Sequence, residues 1–208
     1  KSGIVKNNSK NNGSKGIYAY AIDLLTNGNL GDVTATISGG EVISTNYMAI
    51  RQFNNGEACK NTLNVTGGYI YGAKRAIQTH LNNDAAHLAI SGGKIEGGEY
   101  ALCLYPNTAT NIAVTGGEFI GAIYSGTNGI ISGGTFNEEV YEGYVTETYK
   151  LVKTENGYEV IFDEVYGSAA TIGNNKYNSF AAAWEAAQGG DTIVLQNNVA
   201  IDTETFTV

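Results

Sequence analysis

Ile90-Ser91-Gly92-Gly93-Lys94-Ile95 is the clearest of five copies of one short motif in this chain of 208 residues. Each copy reads aliphatic residue, hydroxyl residue, two glycines, a variable residue and an apolar residue. The five copies begin at Ile37, Val65, Ile90, Val114 and Ile131. A motif that recurs every 17 to 28 residues predicts a stack of equivalent turns, which is how a solenoid is organised.

A second motif, alanine followed by an aliphatic residue, keeps step with the first. In the middle copies it comes about nine residues after the glycine pair. Its five copies are Ala21-Ile22, Ala49-Ile50, Ala76-Ile77, Ala101-Leu102 and Ala122-Ile123. Around the first motif, Leu63 and Val65 alternate with Asn64 and Thr66, which is the period of a strand with one buried face.

Equivalent residues at equivalent steps favour parallel strands over a β-sandwich, because parallel stacking places each residue beside its counterpart. Crossovers between parallel strands are right-handed in nearly all proteins. The sequence therefore predicts an all-β fold, a right-handed parallel β-helix over residues 1–145. Within it, the glycine pairs are expected at corners that need positive φ, and the asparagine-rich stretches Asn54-Asn55-Gly56 and Asn82-Asn83-Asp84 in outward loops.

Two further segments follow the repeats. Over residues 146–165, alternating stretches flank Asn156-Gly157, a strong hairpin signal, and we expect this hairpin to cover the open end of the stack. Residues 166–208 contain one helix pattern, with Phe180, Trp184 and Ala187 on one face and strand-forming residues after it. This helix-and-strand segment is expected to plug the mouth of a β-helix, with Trp184 as its anchor.

The repeated Ile-Ser-Gly-Gly-x-Ile motif resembles the right-handed parallel β-helices of the pectin-lyase-like superfamily. More narrowly, it is similar to repeat regions of large secreted or cell-surface proteins of bacteria. Ile131–Phe136 resembles the way such tracts close, and Ile172–Val199 resembles the way another tract begins. The resemblance implies a surface location and a repeat architecture, while the superfamily includes lyases, hydrolases, adhesins and stalks.

Composition narrows the choice of partners. The formal charge is −8 and the isoelectric point is about 4.7, which argues against a nucleic-acid partner and disfavours a strongly anionic polymer. The chain opens at Lys1 without a signal peptide, contains no apolar run of membrane length, and ends in strand-like residues. We expect a monomeric piece of a longer protein, with no membrane insertion of its own.

Cysteine and histidine give no sign of a metal or cofactor. Cys59 and Cys103 lie nearly two repeat units apart, beyond the reach of a disulfide in a direct stack. His80 and His87 lack the spacing of zinc ligands relative to these cysteines. We therefore expect free thiols, no metal site and no cofactor.

The carboxylates do not form an obvious catalytic pair. Glycosidases need two carboxyl groups about 5 to 9.5 Å apart. The six aspartates fall in no common column; they are Asp23, Asp32, Asp84, Asp163, Asp191 and Asp202. Asp23 with Arg51, and Lys94 with Glu118, are expected as ordinary ion pairs between neighbouring strands. No catalytic residue is therefore assigned.

The residues after the alanine motif give the best candidate for a binding site. If the first and third positions face outward, they form one stripe from successive turns, made of Arg51, Phe53, Gln78, His80, Tyr105 and Tyr124. Aromatic rings stack on sugars and planar donors bind their hydroxyls. Such rings also stabilise neighbouring strands by themselves, so both interpretations stay open.

The sequence favours a non-enzymatic surface module, a stalk or adhesin, whose partner is a host or dietary glycan or a host surface protein. The alternative is a carbohydrate-active module related to polysaccharide lyases or glycoside hydrolases. A carboxylate cluster on one face would distinguish the second from the first.

Overall fold

The computed structural model describes residues 3–10, 18–27, 31–55, 59–81, 86–105, 111–163, 170–177 and 180–195. Contacts divide the chain into two compact units. The first comprises Lys1–Thr146 and Lys150–Ile161, and the second comprises Glu147–Tyr149 and Phe162–Val208. In the described residues no helix is both long and apolar enough to cross a membrane.

The first unit is a parallel β-solenoid of about three turns, as the motifs predict. Its strands are β1 (Ile4–Asn7), β2 (Tyr20–Asn27), β3 (Val33–Ser44), β4 (Met48–Asn55), β5 (Asn61–Gly72), β6 (Arg75–Leu81), β7 (Ala86–Tyr105), β8 (Ile112–Ser125) and β9 (Gly134–Phe136). Glu142–Tyr144 form a short 3-10 helix, and the hairpin strands β10 (Tyr149–Thr154) and β11 (Gly157–Phe162) follow.

Two parallel series of strands build the solenoid. One runs β1-β3-β5-β7-β8-β9, and the other runs β2-β4-β6-β7. In the first, Val65 is the register partner of Ile90, and Ile90 is the partner of Val114. In the second, the aliphatic residue of the alanine motif stays in register, for example Ile50 with Ile77. The predicted parallel stacking of both motifs is confirmed.

The interior follows the alternation read from the sequence. Val65, Ile90, Val114 and Ile131 are almost completely buried, whereas Ile37, nearer the start of the stack, is half-buried. Burying a side chain of this size contributes about 1.5–3 kcal/mol relative to leaving it exposed. Equivalent rows of aliphatic residues thus form one continuous core through the stacked turns.

The glycine pairs meet two separate requirements of the backbone. The second glycine has positive φ in each copy, for example 88° at Gly68 and 92° at Gly93. From the second copy onward the first glycine lies against the preceding turn; a Cβ at Gly92, for example, would come 2.8 Å from the carbonyl oxygen of Thr66. The strands continue through the pair with a shift of register, so the predicted corner is a bulge within a strand.

Polar side chains inside the solenoid correct one prediction. Asn54, expected in an outward loop, lies in β4 with no exposed surface and donates to the carbonyl oxygen of Cys59 at 3.0 Å. Gln52 donates to the carbonyls of Asn61 and His87, and the Asn61 amide donates to the carbonyls of Leu24 and Phe53. These amides donate hydrogen bonds to buried backbone carbonyl groups, which hydrophobic side chains could not do. Gly56 and 82–84 lie outside the described residues.

The hairpin extends the last turn. Tyr158 of β11 pairs antiparallel with Phe136 of β9, and β10 lies at the outer edge of the sheet. Inside the solenoid, the buried rings of Phe119 and Phe136 stack, with their centroids 4.9 Å apart and their planes at 8°. The hairpin predicted around Asn156-Gly157 is therefore confirmed, and it covers one edge of the β9 strand.

The second unit is a small antiparallel sheet with one helix. Strand β12 (Ala170–Ile172) pairs with β13 (Asn175–Tyr177) and β14 (Ile193–Leu195). The helix α1 (Phe180–Ala186) contacts these three strands. It ends before Ala187, and the rings of Phe180 and Trp184 lie 5.8 Å apart. That this helix plugs a solenoid stays a prediction.

Cys59 and Cys103 are both buried thiols that form no disulfide, in line with their separation along the stack. Cys59 is 4% exposed and Cys103 is 2% exposed. The residues before the helix, 178 and 179, and the chain after residue 195 lie outside the described residues.

Candidate functional site

Parallel register brings the six residues of the stripe together on one outer face. Arg51, Gln78, Cys103 and Tyr124 are successive register partners on β4, β6, β7 and β8. Two residues further along, Phe53, His80 and Tyr105 form a second row. The stripe is hereafter the set Arg51, Phe53, Gln78, His80, Tyr105 and Tyr124. Side chains two apart share one face of a strand, so both rows point the same way.

The second row forms a ladder of rings that extends to Tyr124. Ring centroids are 5.7 Å apart for Phe53 and His80, 4.5 Å for His80 and Tyr105, and 5.8 Å for Tyr105 and Tyr124. These are ordinary separations for interacting aromatic rings. Four neighbouring strands, β4, β6, β7 and β8, therefore contribute to one uninterrupted aromatic strip.

The orientation of the rings decides what each can offer a ligand. The rings of His80 and Tyr105 are nearly parallel, at 16°, so each covers a face of the other and their edges carry the polar atoms. Tyr124 is turned by 58° from Tyr105 and is 40% exposed. Tyr124 is thus the ring of the ladder that is best placed to stack on a sugar, and the inner rings are best placed to supply hydrogen bonds.

Arg51 fixes one end of the stripe. Its Nε and Nη2 donate to the two carboxylate oxygens of Asp23 at 2.8 and 2.6 Å, which confirms the expected ion pair. Its guanidinium carbon lies 4.5 Å from the ring centre of Tyr20 and 5.3 Å from that of Phe53. The hydrogen bond to Asp23 raises the pKa of Arg51, and burial raises the pKa of Tyr20 to about 12. Both groups keep their protons at neutral pH.

Gln78 is more enclosed than its outward position suggests, with 6% of its surface exposed. Arg75 Nη1 donates to Gln78 Oε1, and Gln78 Nε2 lies 2.8 Å from His80 Nε2. Because an arginine can only donate, the amide oxygen must face Arg75 and the amide nitrogen must face His80. His80 therefore accepts at Nε2 and carries its proton on Nδ1.

This network keeps His80 neutral. Desolvation lowers the pKa of His80 below its ordinary value of 6.5, and the charges of Arg51 and Arg75 lower it further. Protonation of His80 at Nε2 would also break the hydrogen bond from Gln78, because two N–H groups would then face each other. The imidazole is therefore a neutral element of the stripe at pH 7.

Sequence reasoning missed Arg75, Tyr100 and a tyrosine cluster beside the stripe. Arg75 is the register partner of Tyr100, and its guanidinium carbon lies 5.7 Å from that ring. At the Tyr20 end, Tyr18, Tyr20 and Tyr47 have ring centroids 5.5 to 6.1 Å apart. The available signal was Arg75 itself, a cation at the start of β6 and three residues before Gln78.

The carboxylates beside the stripe are held in ion pairs. Asp23 binds Arg51, and Glu99 lies 4.0 Å from Lys74. Away from the stripe, Lys94 and Glu118 pair at 3.3 Å, as expected. Asp84 and Asp202 lie outside the described residues. Across the parts of the chain that the structure describes, no three of the His, Cys, Asp and Glu side chains are grouped to hold a metal ion.

Comparison with known proteins adds no relative. No family model matches the chain, and no curated protein or solved structure is significantly similar to it.

Proposed function

We propose that this chain is a non-enzymatic module that binds glycans through the stripe. The observation that carries the proposal is the ladder from Phe53 to Tyr124, which ends in a ring 40% exposed and turned out of the stack. The ring of Tyr105 lies next to it, and His80 follows on the far side of Tyr105. An apolar platform next to polar edges matches the alternating apolar faces and hydroxyl groups of a pyranose.

The proposal extends to the origin of the chain. The Ser/Thr-Gly-Gly motifs resemble repeat tracts of pectin-lyase-like β-helices in bacterial secreted or cell-surface proteins. A stack of turns gives a stiff element that displays one outer face, which suits a stalk or an adhesin. On this basis we place the module at the surface of a bacterial cell or in its secretions, with a host or dietary glycan as its partner.

The chemistry of the stripe favours binding over hydrolysis. A general acid must reach the leaving-group oxygen with its own proton, whereas both carboxylate oxygens of Asp23 already accept hydrogen bonds from Arg51. His80 accepts a hydrogen bond from Gln78 and has no carboxylate partner among the interactions described for it. The stripe thus offers stacking and hydrogen bonding more readily than proton transfer.

A glycan array tests the proposal. The wild-type chain should bind a defined subset of glycans, and Tyr124→Ala should weaken that binding by about tenfold, since stacking of an aromatic ring is worth about 1 kcal/mol or more. Tyr105→Ala should also weaken it. Lys94→Ala, in a different column on the outer surface, is the matched control and should leave the array pattern unchanged.

Two results would refute the proposal. One is an array on which the folded wild-type chain binds no glycan above background. The other is a set of ligands that Tyr124→Ala and Tyr105→Ala bind as well as the wild type does, which would place the binding surface elsewhere.

A further inference from the structure

Arg75 is a cation beside the stripe whose charge is not neutralised. Its Nη1 donates to Gln78, while its Nε is buried and has no hydrogen-bond partner. Among the described residues, the three ion pairs are those of Arg51, Lys74 and Lys94, and none includes Arg75. Arg51, by contrast, already donates from Nε and Nη2 to the two carboxylate oxygens of Asp23. The guanidinium of Arg75 is therefore the group on this face that can gain most from an anion.

The local charge differs in sign from that of the whole chain. Around the stripe, Asp23 offsets Arg51 and Glu99 offsets Lys74, so that Arg75 is left over as one positive charge. The whole chain carries a formal charge of −8. A long polyanion would meet repulsion beyond the stripe, whereas a single anionic group at Arg75 would not, because exposed charges are screened over about 10 Å.

We propose that the stripe selects a mainly neutral glycan that carries one anionic substituent, a carboxylate or a sulfate ester, and that this substituent pairs with Arg75. The inference rests on the proposed function and adds the class of ligand. The guanidinium plane matches the oxygens of either group, and charge-assisted hydrogen bonds are stronger than neutral ones. Tyr124 then stacks on the neutral part of the ligand.

His80 is a built-in reporter of this event. The groups around it are Arg51 and Phe53 on β4, Arg75 and Gln78 on its own strand, and Tyr105 on β7, with Asp23 beyond Arg51 and Cys103 beside Tyr105. An anion at Arg75 would offset part of the positive potential that disfavours the imidazolium. Its binding should therefore raise the pKa of His80, and a neutral sugar should not.

The experiment uses three matched probes: methyl lactoside, the same disaccharide with one sulfate ester, and the same disaccharide with its terminal sugar oxidised to the uronate. Affinity is measured by calorimetry for the wild type, for Arg75→Gln and for Lys74→Gln. Lys74→Gln removes a neighbouring charge that is already paired with Glu99, so it is the control. Polygalacturonate serves as the polyanion.

At least one charged probe should bind the wild type about tenfold more tightly than methyl lactoside, as expected for one charge-assisted contact. Arg75→Gln should abolish this preference, and Lys74→Gln should keep it. Whichever of the sulfate and uronate probes binds more tightly identifies the substituent. If Arg75→Gln fails to fold, an NMR titration of His80 in the wild type decides the question. The pKa of His80 should rise when a charged probe is bound and should not change with methyl lactoside.

Four results would overturn the inference. Equal binding of charged and neutral probes, with both weakened by Tyr124→Ala, would refute the anionic ligand while leaving the glycan-binding proposal intact. A preference for the charged probe that persists in Arg75→Gln would place the anion elsewhere. Polygalacturonate as the tightest ligand would contradict a single anionic group. Failure of every probe and every array glycan to bind would refute both proposals.

Discussion

At the scale of single residues, the direction of one amide governs the chemistry of the stripe. Arg75 orients Gln78, and Gln78 in turn donates to the imidazole of His80. A side chain that is mostly buried thus transmits the influence of a cation to a titrating ring. Replacing either Arg75 or Gln78 should therefore change the pKa of His80.

The first prediction concerns the pKa of His80, which should be below 6.5 by NMR titration. Since the folded state holds the neutral ring, acidification through pH 6.5 protonates the unfolded chain first, and the contribution of His80 to stability is lost as the pH falls. Gln78→Glu should raise this pKa, because a carboxylate accepts from both Arg75 and the imidazolium. His80→Gln assigns the resonance. An unchanged pKa in Gln78→Glu would contradict the network.

The second prediction compares two glycines at the same place in successive motifs. A Cβ at Gly67 would lie 2.8 Å from the carbonyl oxygen of Ser38, whereas a Cβ at Gly39 would meet nothing within 4 Å. Gly67→Ala should therefore lower the free energy of unfolding by about 1–3 kcal/mol, as overpacking does. Gly39→Ala should leave it unchanged or slightly higher. Denaturant unfolding measures both, and equal losses would disprove the close approach of neighbouring turns.

Much of the site could be predicted from the sequence, because a parallel stack converts equal spacing into contact. The ladder of Phe53, His80 and Tyr105 follows directly from the position of each residue after its alanine motif. The burial of Gln78 could not be predicted, since it depends on which neighbour holds its amide. The inward position of Asn54 was also missed, because alternation does not reveal which polar residues satisfy backbone carbonyls inside the core.

At the scale of elements, the two rows of aliphatic residues hold the strands in register. A one-residue slip would turn every core side chain outward, so the register is strongly specified. The glycine bulges add to this, because from Gly67 onward the first glycine of each pair lies against a carbonyl group of the turn before it. The residues of the stripe form a continuous row because the strands keep this register.

The third prediction tests the core row. Ile90→Asp places a carboxylate among apolar side chains at a position 1% exposed, which should cost several kcal/mol and unfold the solenoid or lower its melting temperature severely. Ala89→Asp, the neighbouring and exposed residue, is the control and should melt close to the wild type. A melting temperature for Ile90→Asp within a few degrees of the wild type would refute the inward assignment.

At the scale of the whole molecule, the groups that stabilise the solenoid are separate from those of the proposed binding face. The core and the glycine contacts maintain the stack, while the outer face of β4, β6, β7 and β8 carries the aromatic and charged groups. Substitutions of the exposed Tyr124 should therefore affect binding far more than folding. This separation is what a module that displays a surface requires.

The fourth prediction is that the chain binds without cleaving. Incubation with pectin, polygalacturonate and mucin glycans, with and without calcium, should release neither new reducing ends nor unsaturated products. Both carboxylate oxygens of Asp23 already accept hydrogen bonds from Arg51, so this carboxylate is not free to act on a glycosidic oxygen. Release that disappears in Asp23→Asn would favour the carbohydrate-active alternative.

The most direct test of glycan binding by the stripe is an NMR map of the bound glycan on the folded chain. With the tightest ligand from the array, the largest shift changes and the contacts from sugar protons should fall on Tyr124, Tyr105, His80 and Phe53. The pair of Lys94 and Glu118 should stay unperturbed. Sugar contacts that lie on another face, or that are scattered over the surface without a focus at Tyr124, would contradict the account.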